Sequence, residues 1–282
     1  MININTNYAA NFAANATKRA SNGLDSAMEK LSTGSRINYA RDDAAGQAIA
    51  MRLTAEIEGL AQASRNAADG QSMIDTAEGA LQETHNLLLR MRELAVQAAS
   101  GTTSSADKLS LDAEFQHLSD EIGRIATNTS WAGQKLLDGS FSGASGADAV
   151  VFHAGAGAAA SDKISVTIAA MTDTALDVDG ADATIKSSAS AIAAITSVDT
   201  AIGKVSTERN KIGAVSNRLS NTITNLDQIR VNLSQSRANI QDADFAVETG
   251  NLARNQIMQQ AATAMLAQAN ASKTNILTLV RG

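Results

Sequence analysis

The sequence predicts a mainly α protein: long antiparallel coiled-coil helices from both chain ends, with a small β-hairpin region in the middle. Three observations carry this expectation. The 282 residues contain no proline, where average usage of about 5% would put on the order of a dozen. Apolar residues recur at every seventh position over long tracts on both sides of the centre. Between those tracts lie Gly/Ser/Ala-rich sequence and two short β-type runs. Proline lacks a donor and clashes with the preceding turn, so its absence permits very long helices and leaves turns to Gly, Asn, Asp and Ser. Hydrophobic residues make up 44% but aromatics only 3%. Ala, Ile and Leu must therefore carry the packing, which suits thin helical bundles better than a thick sandwich or barrel.

Residues 1–42 are polar and Asn/Ala-rich, with a helix expected from about Asn7 to Leu31 and a stop at Thr33-Gly34-Ser35. Over 44–100, Leu53, Leu60, Ala67, Ile74, Leu81, Leu88 and Ala95 keep a spacing of seven without a slip. Three positions on from the second of these runs a series of mostly small residues: Ala63, Gly70, Ala77, Thr84, Met91 and Ala98. Such a seam admits a closely packed partner along a helix of roughly 85 Å. Gly101 to Ser105 ends it. A shorter helix follows to about Asn128, with Leu111, Phe115, Leu118, Ile122 and Ile125 on one face.

Val150-Val151-Phe152 and the alternating, β-branched Ile164-Ser165-Val166-Thr167-Ile168 read as strands able to pair as a hairpin. From about Thr184 the heptad returns, through Val198, Val205, Ile212, Leu219, Leu226, Leu233, Ile240 and Val247. The final stretch is helical and apolar on several sides. Phe245, Leu252, Ile257, Met258, Met265, Leu266, Ile276, Leu277 and Leu279 cannot all be buried on one neighbour, so they are the expected polymerisation residues. Helices from the two ends should pack antiparallel. The end segments 1–40 and 245–282 alone have little partner surface and are expected to order on assembly.

Several functions are excluded or disfavoured. With no cysteine there is no disulfide or thiolate metal site. A formal net charge of −6 argues against nucleic acid. No apolar run reaches the length of about 18 residues that a membrane span needs. The start lacks the basic and apolar regions of a cleaved signal peptide, so export is expected to use another route. Gly155-Ala156-Gly157 mimics a dinucleotide fingerprint, but Ile164 follows too soon for the required helix. His85, His117 and His153 are scattered and lack a ligand spacing, and there is no nucleophile elbow. Neither an enzyme nor a cofactor, catalytic or metal site is expected.

Specific motifs resemble the bacterial flagellins, the subunits of flagellar filaments. They are Leu31-Ser32-Thr33-Gly34-Ser35-Arg36-Ile37-Asn38, Asp42-Asp43-Ala44-Ala45-Gly46, Ser64-Arg65-Asn66-Ala67, Glu78-Gly79-Ala80-Leu81 and Arg90-Met91-Arg92-Glu93-Leu94-Ala95-Val96-Gln97. Near the other end stand Asp242-Ala243-Asp244-Phe245, Gln259-Gln260-Ala261 and Leu266-Ala267-Gln268-Ala269-Asn270. The resemblance covers roughly 1–137 and 190–282. It implies a short form with little or no outer domain. Segments 1–42 and 241–282 would make an inner filament-core domain, 43–137 and 186–240 the helices of a rod domain, and 138–185 a variable Gly/Ser-rich hairpin region. The implied partners are further copies of the chain in a helical homopolymer, an export chaperone, the filament cap and hook–filament junction proteins, and the host Toll-like receptor 5. The implied location is the extracellular filament, reached unfolded through type III export. For the receptor, the resemblance points to Arg90, Leu94, Gln97 and Glu114. Arg90, Leu94 and Gln97 share a helix face that projection places away from the seam, so Leu94 is expected to be an open apolar knob. Leu89 stands where many relatives carry Gln, and Lys273 where many carry Pro. A chemotaxis-receptor signalling hairpin would show heptads too, but with a helix–turn–helix apex and a membrane anchor. A hook–filament junction protein shares the terminal architecture.

Overall fold

The computed structural model describes residues 6–141, 149–180 and 183–281, with side chains described up to Ser272. It has five α-helices among the described residues: α1 (Tyr8–Thr33), α2 (Ala44–Ala99), α3 (Ser105–Asn128), α4 (Ser188–Gln241) and α5 (Phe245–Arg281). The described residues also hold two antiparallel hairpins, β1 (Ser130–Trp131) with β2 (Gln134–Lys135) and β3 (Val150–His153) with β4 (Lys163–Val166), and a short 3-10 turn at Ala160–Asp162. The chain forms two compact units. One comprises Met1–Ala55 with Asn232–Gly282, and the other Glu56–Val231.

The helix boundaries follow from local chemistry. The Asn7 side chain accepts a hydrogen bond from Ala10 N–H (3.1 Å) and starts α1. Gly34, at φ 71°, ends it in the left-handed region, its N–H donating to Lys30 O (2.9 Å). Asp42 then accepts from the N–H groups of Tyr39 (3.0 Å) and Asn38 (3.2 Å), and Asp43 accepts from Gly46 N–H (2.9 Å) at the start of α2. The hydrogen bonds from the Tyr39 and Asn38 amides hold the Asp42 carboxyl below its usual range, against a smaller opposing effect of desolvation. Ser104 and Asp107 form a reciprocal capping box on α3. Asp244 accepts from Ala246 N–H (2.8 Å) and Val247 N–H (3.3 Å), which starts α5.

The core of the second unit is the α2–α4 seam. From Leu60 onward, both seven-residue series of α2 are buried throughout, as are Val198, Val205, Ile212, Leu219 and Leu226 of α4. Antiparallel packing is fixed by cross-helix pairs: Arg92 Nε to Asp199 Oδ1 (2.6 Å), Arg209 Nη2 to Glu78 Oε1 (2.7 Å) and Ser64 Oγ to Asp227 Oδ1 (3.5 Å). Phe115 and Ile122 of α3 close the core from a second side.

Two expectations need correction, and one segment was not foreseen. Val247 does not extend the α4 seam. α4 ends at Gln241, where Asp242 bridges to Ser35 and Arg36 N–H donates to Gln241 O (2.7 Å), so α5 starts in a new register with Val247 exposed. The unforeseen segment is the one after β4, which is core. Ile168, Met171, Leu176, Val178, Ala183 and Ile185 are all buried. Their backbone is held by two buried side chains of α3, Asp112 accepting from Ile185 N–H (2.8 Å) and Ser119 donating to Val178 O (2.7 Å). Glu208 of α4, also buried, accepts from Ala169 N–H (3.1 Å). Polar side chains suffice here because each satisfies a backbone group that would otherwise be buried without a partner. The second correction concerns Leu94 and follows from the same packing. β1–β2, which no sequence signal announced, turns through Ala132 (φ 47°) and Gly133 (φ 83°).

Leu219 is fully buried, while Ser220 is exposed. Leu219→Ala should lower stability by about 2–5 kcal/mol, read as a shift in the thermal or urea midpoint. Ser220→Ala should leave the midpoint almost unmoved.

Candidate assembly surface

α1 and α5 pair through small side chains. Ala13, Ala20 and Ala27 of α1, spaced by seven, are buried, as are Ala262 and Ala269 of α5. Gly23 faces Asn255, and a Cβ added there would lie 2.8 Å from Asn255 Nδ2, so glycine permits the close approach. Polar ties lock the register: Asn7 Nδ2 donates to Ala269 O (3.1 Å), and Lys30 Nζ to Glu248 Oε1 (3.3 Å). The pair therefore supplies part of the partner surface that each end segment lacks alone.

An alanine seam brings helices close but removes little apolar area from water, and the larger apolar side chains point outward instead. Phe245, Ile257, Met258 and Met265 are exposed, and Leu252 and Leu266 are half-buried. The side chains of Ile276, Leu277 and Leu279 lie outside the described residues; the backbone of α5 is helical through them to Arg281. Tyr8 and Phe12 of α1, 72% and 73% exposed, add large exposed apolar side chains to the terminal pair. They were absent from the sequence-predicted set, although they are the aromatics of an otherwise Asn/Ala-rich stretch. Phe12, Ala13, Ala16, Met258, Ala262 and Met265 line a groove of about 500 Å³ between the two helices.

The second predicted surface lies on α2 and α3. Arg90 Nη2 meets Glu114 Oε1 at 2.8 Å and its Nη1 meets Glu93 Oε2 at 3.1 Å. Hydrogen bonds to Glu114, then to Glu93, hold the guanidinium pKa above its ordinary value. Solvent screens these ion pairs, so they orient Arg90 more than they stabilise the fold. Gln97 is exposed, two turns on from Arg90 along the same face, and Leu89 and Val96 stand exposed nearby. Leu94 is the exception: at 1% exposure it is core, not a knob beside Arg90. Projection against a single seam missed this because α2 is covered by two neighbours. Beyond the seam residues Met91, Ala95 and Ala98, Leu94 joins one buried cluster with Phe115 and Ile122 of α3 and Val198 of α4.

Among the described residues, no group of three or more His, Asp or Glu could hold a metal ion, and no helix is long and apolar enough to cross a membrane.

A model of the bacterial flagellin N-terminal helical region matches residues 4–142, and one of the flagellin C-terminal helical region matches residues 195–280. The chain belongs to the bacterial flagellin family. Over 144 residues it is 51% identical to flagellin A of Vibrio cholerae serotype O1, a match that spans 51% of this chain but 38% of that one. Flagellin A of Vibrio anguillarum is 50% identical over 144 residues, with the same shares of both chains. The fold is shared with a solved structure described as a flagellar hook-associated protein from Vibrio parahaemolyticus, at 17% identity and a TM-score of 0.58, covering 71% of this chain and all of that one. The motifs that relate this chain to the flagellins have local work to do: Gly34 terminates α1, Arg36 binds the end of α4, Asp42 and Asp43 shape the entry to α2, and Asp244 caps α5.

Proposed function

We propose that this flagellin-family chain is a structural, non-enzymatic subunit that polymerises with its own copies into the extracellular flagellar filament used for swimming. The observation that carries the proposal is the inverted packing of α1 and α5, with alanines between them and Tyr8, Phe12, Phe245, Ile257, Met258 and Met265 on the outside. Exposed apolar surface of this kind marks an interaction site. A homopolymer covers it by presenting the same surface on every subunit. Segments 1–42 and 241–282 form the inner filament core in this proposal, and Leu252, Leu266, Ile276, Leu277 and Leu279 contribute with the exposed set. Before assembly the same segment needs covering. An export chaperone bound between Phe245 and Gly282 would keep it apart from other copies, and the chain would leave unfolded by type III export. Cap and hook–filament junction proteins would meet the same terminal helices at the two ends of the filament.

A second activity is favoured by the exposed Arg90–Glu114 pair: recognition of the monomer by host Toll-like receptor 5. Arg90 offers a planar fork of donors, held in place by Glu114 and Glu93. Gln97 adds an amide on the same helix. Leu94 supports this surface from beneath.

Seeded polymerisation, followed by light scattering, tests assembly. A chain ending at Asp244 should not elongate seeds. Phe12→Asp with Ile257→Asp, both at exposed positions, should keep its helicity and elongate at least about tenfold more slowly, the effect of burying poorly paired charge at an interface. Elongation by that double variant at the normal rate would refute the proposed surface. For the receptor, monomeric Arg90→Ala should activate reporter cells about tenfold less at an unchanged melting temperature. Leu94→Ala should lower the melting temperature, because its target is the core. Undiminished activation by Arg90→Ala would refute the receptor assignment.

A further inference from the structure

The described methionines divide between the two units without overlap. Met73, Met91 and Met171 belong to the unit Glu56–Val231, and each is at most 4% exposed. Met28, Met51, Met258 and Met265 belong to the other unit and are 48–66% exposed. Two of these, Met258 and Met265, are seven residues apart on one face of α5 and line the apolar groove against Phe12, Ala13 and Ala16. Small alanine neighbours leave both thioethers open to solvent from the groove side. Exposure governs methionine oxidation, and the product is a polar, chiral sulfoxide in place of a flexible apolar side chain.

We propose that Met258 and Met265 are oxidation-sensitive modification sites, at which peroxide-class oxidants reversibly block self-assembly. The inference rests on the proposed assembly function of the α1–α5 surface. In the step itself a lone pair of the thioether sulfur attacks the terminal oxygen of hydrogen peroxide. The S–O bond forms as the O–O bond breaks, and the hydroxyl proton passes to the departing oxygen, which leaves as water. The sulfur loses two electrons and the peroxide gains them. The sulfoxide oxygen is a strong acceptor placed in a groove lined mainly by alanine, phenylalanine and methionine. Of the two lining residues with side-chain donors, Gln268 and Ser272, the Ser272 hydroxyl already donates to Ala269 O. Its burial between subunits would set a polar group against a mostly apolar lining, which costs desolvation that the native thioether does not incur. The free chain is the vulnerable form. Once assembled, the same residues are covered, and the buried methionines of the other unit are spared in both states.

Hydrogen peroxide treatment of the full-length monomer and of assembled filaments, followed by peptide mass spectrometry and seeded elongation, tests the proposal. In the monomer, oxygen should be added at Met258 and Met265 as well as Met28 and Met51, and not at Met73, Met91 or Met171. In filaments, Met258 and Met265 should be protected. Treated monomer should elongate seeds about tenfold or more slowly, as expected for a polar group buried against a mostly apolar lining. Methionine sulfoxide reductases should restore the rate. The variant Met258→Leu with Met265→Leu keeps apolar bulk and should elongate equally before and after treatment. Normal elongation by monomer shown to carry both sulfoxides would overturn the proposal, as would an equal loss in the leucine variant. Failure of untreated monomer to elongate seeds would instead refute the assembly function and this inference with it.

Discussion

The alanine seam between α1 and α5 is the constraint on which the functional account depends. Ala13, Ala20, Ala27, Ala262 and Ala269 hold the two terminal helices close, yet each contributes only a methyl group to burial. At about 25 cal/mol per Å² of apolar area, such a seam gives far less than the Leu, Ile and Met side chains buried between α2 and α4. A seam of large residues would have made a self-sufficient helical pair with a polar exterior. The alanine seam gives a pair that is defined in register by Asn7, Lys30 and Glu248 and has its strongest apolar groups still facing water.

The unit Glu56–Val231 shows the opposite distribution. Most of its large apolar side chains are buried, with single exceptions such as Leu89, Leu109 and Ile192, and its exposed faces carry ion pairs such as Arg90–Glu114 and Arg92–Asp199. Three buried polar residues, Asp112, Ser119 and Glu208, bind backbone groups of the segment after β4 and turn irregular chain into part of the core. Removing any one of them would leave a buried backbone group unpaired, a larger penalty than the net value of the hydrogen bond itself. Most of the large apolar burial lies in this unit, and the terminal pair is where another molecule has most to contribute.

Much of this was legible in the residues. Period seven exposed the α2–α4 seam almost position by position, because large apolar residues recurring on a proline-free helix have few alternatives to mutual burial. The hairpin Val150–His153 with Lys163–Val166 was visible in β-branched alternation. Other features escaped for physical reasons. Val247 continues the period arithmetically, but the Asp244 cap resets the helix, and a heptad count carries no information on where hydrogen bonds restart. Leu94 escaped because periodicity against one partner cannot show a second. Asp112, Ser119 and Glu208 look like surface residues until the chain they bind is in place. On the candidate surface, apolar excess around α5 was readable from composition, whereas the part played by Tyr8 and Phe12 depended on the pairing of helices more than two hundred residues apart in sequence.

Hydrogen exchange compared between monomer and filament addresses the central claim most directly, since it reports the free energy of local opening for each helix. In the monomer, amides of α1 and of α5 up to Ser272 should exchange much faster than those of α2 from Leu60 to Ala98 and of α4 from Ala191 to Leu219. On assembly, α1 and α5 should gain strong protection while the core of the other unit changes little. Protection of α1 and α5 in the monomer equal to that of the α2–α4 core, and unaltered in the filament, would contradict the claim that their outward apolar surface is completed only by other subunits.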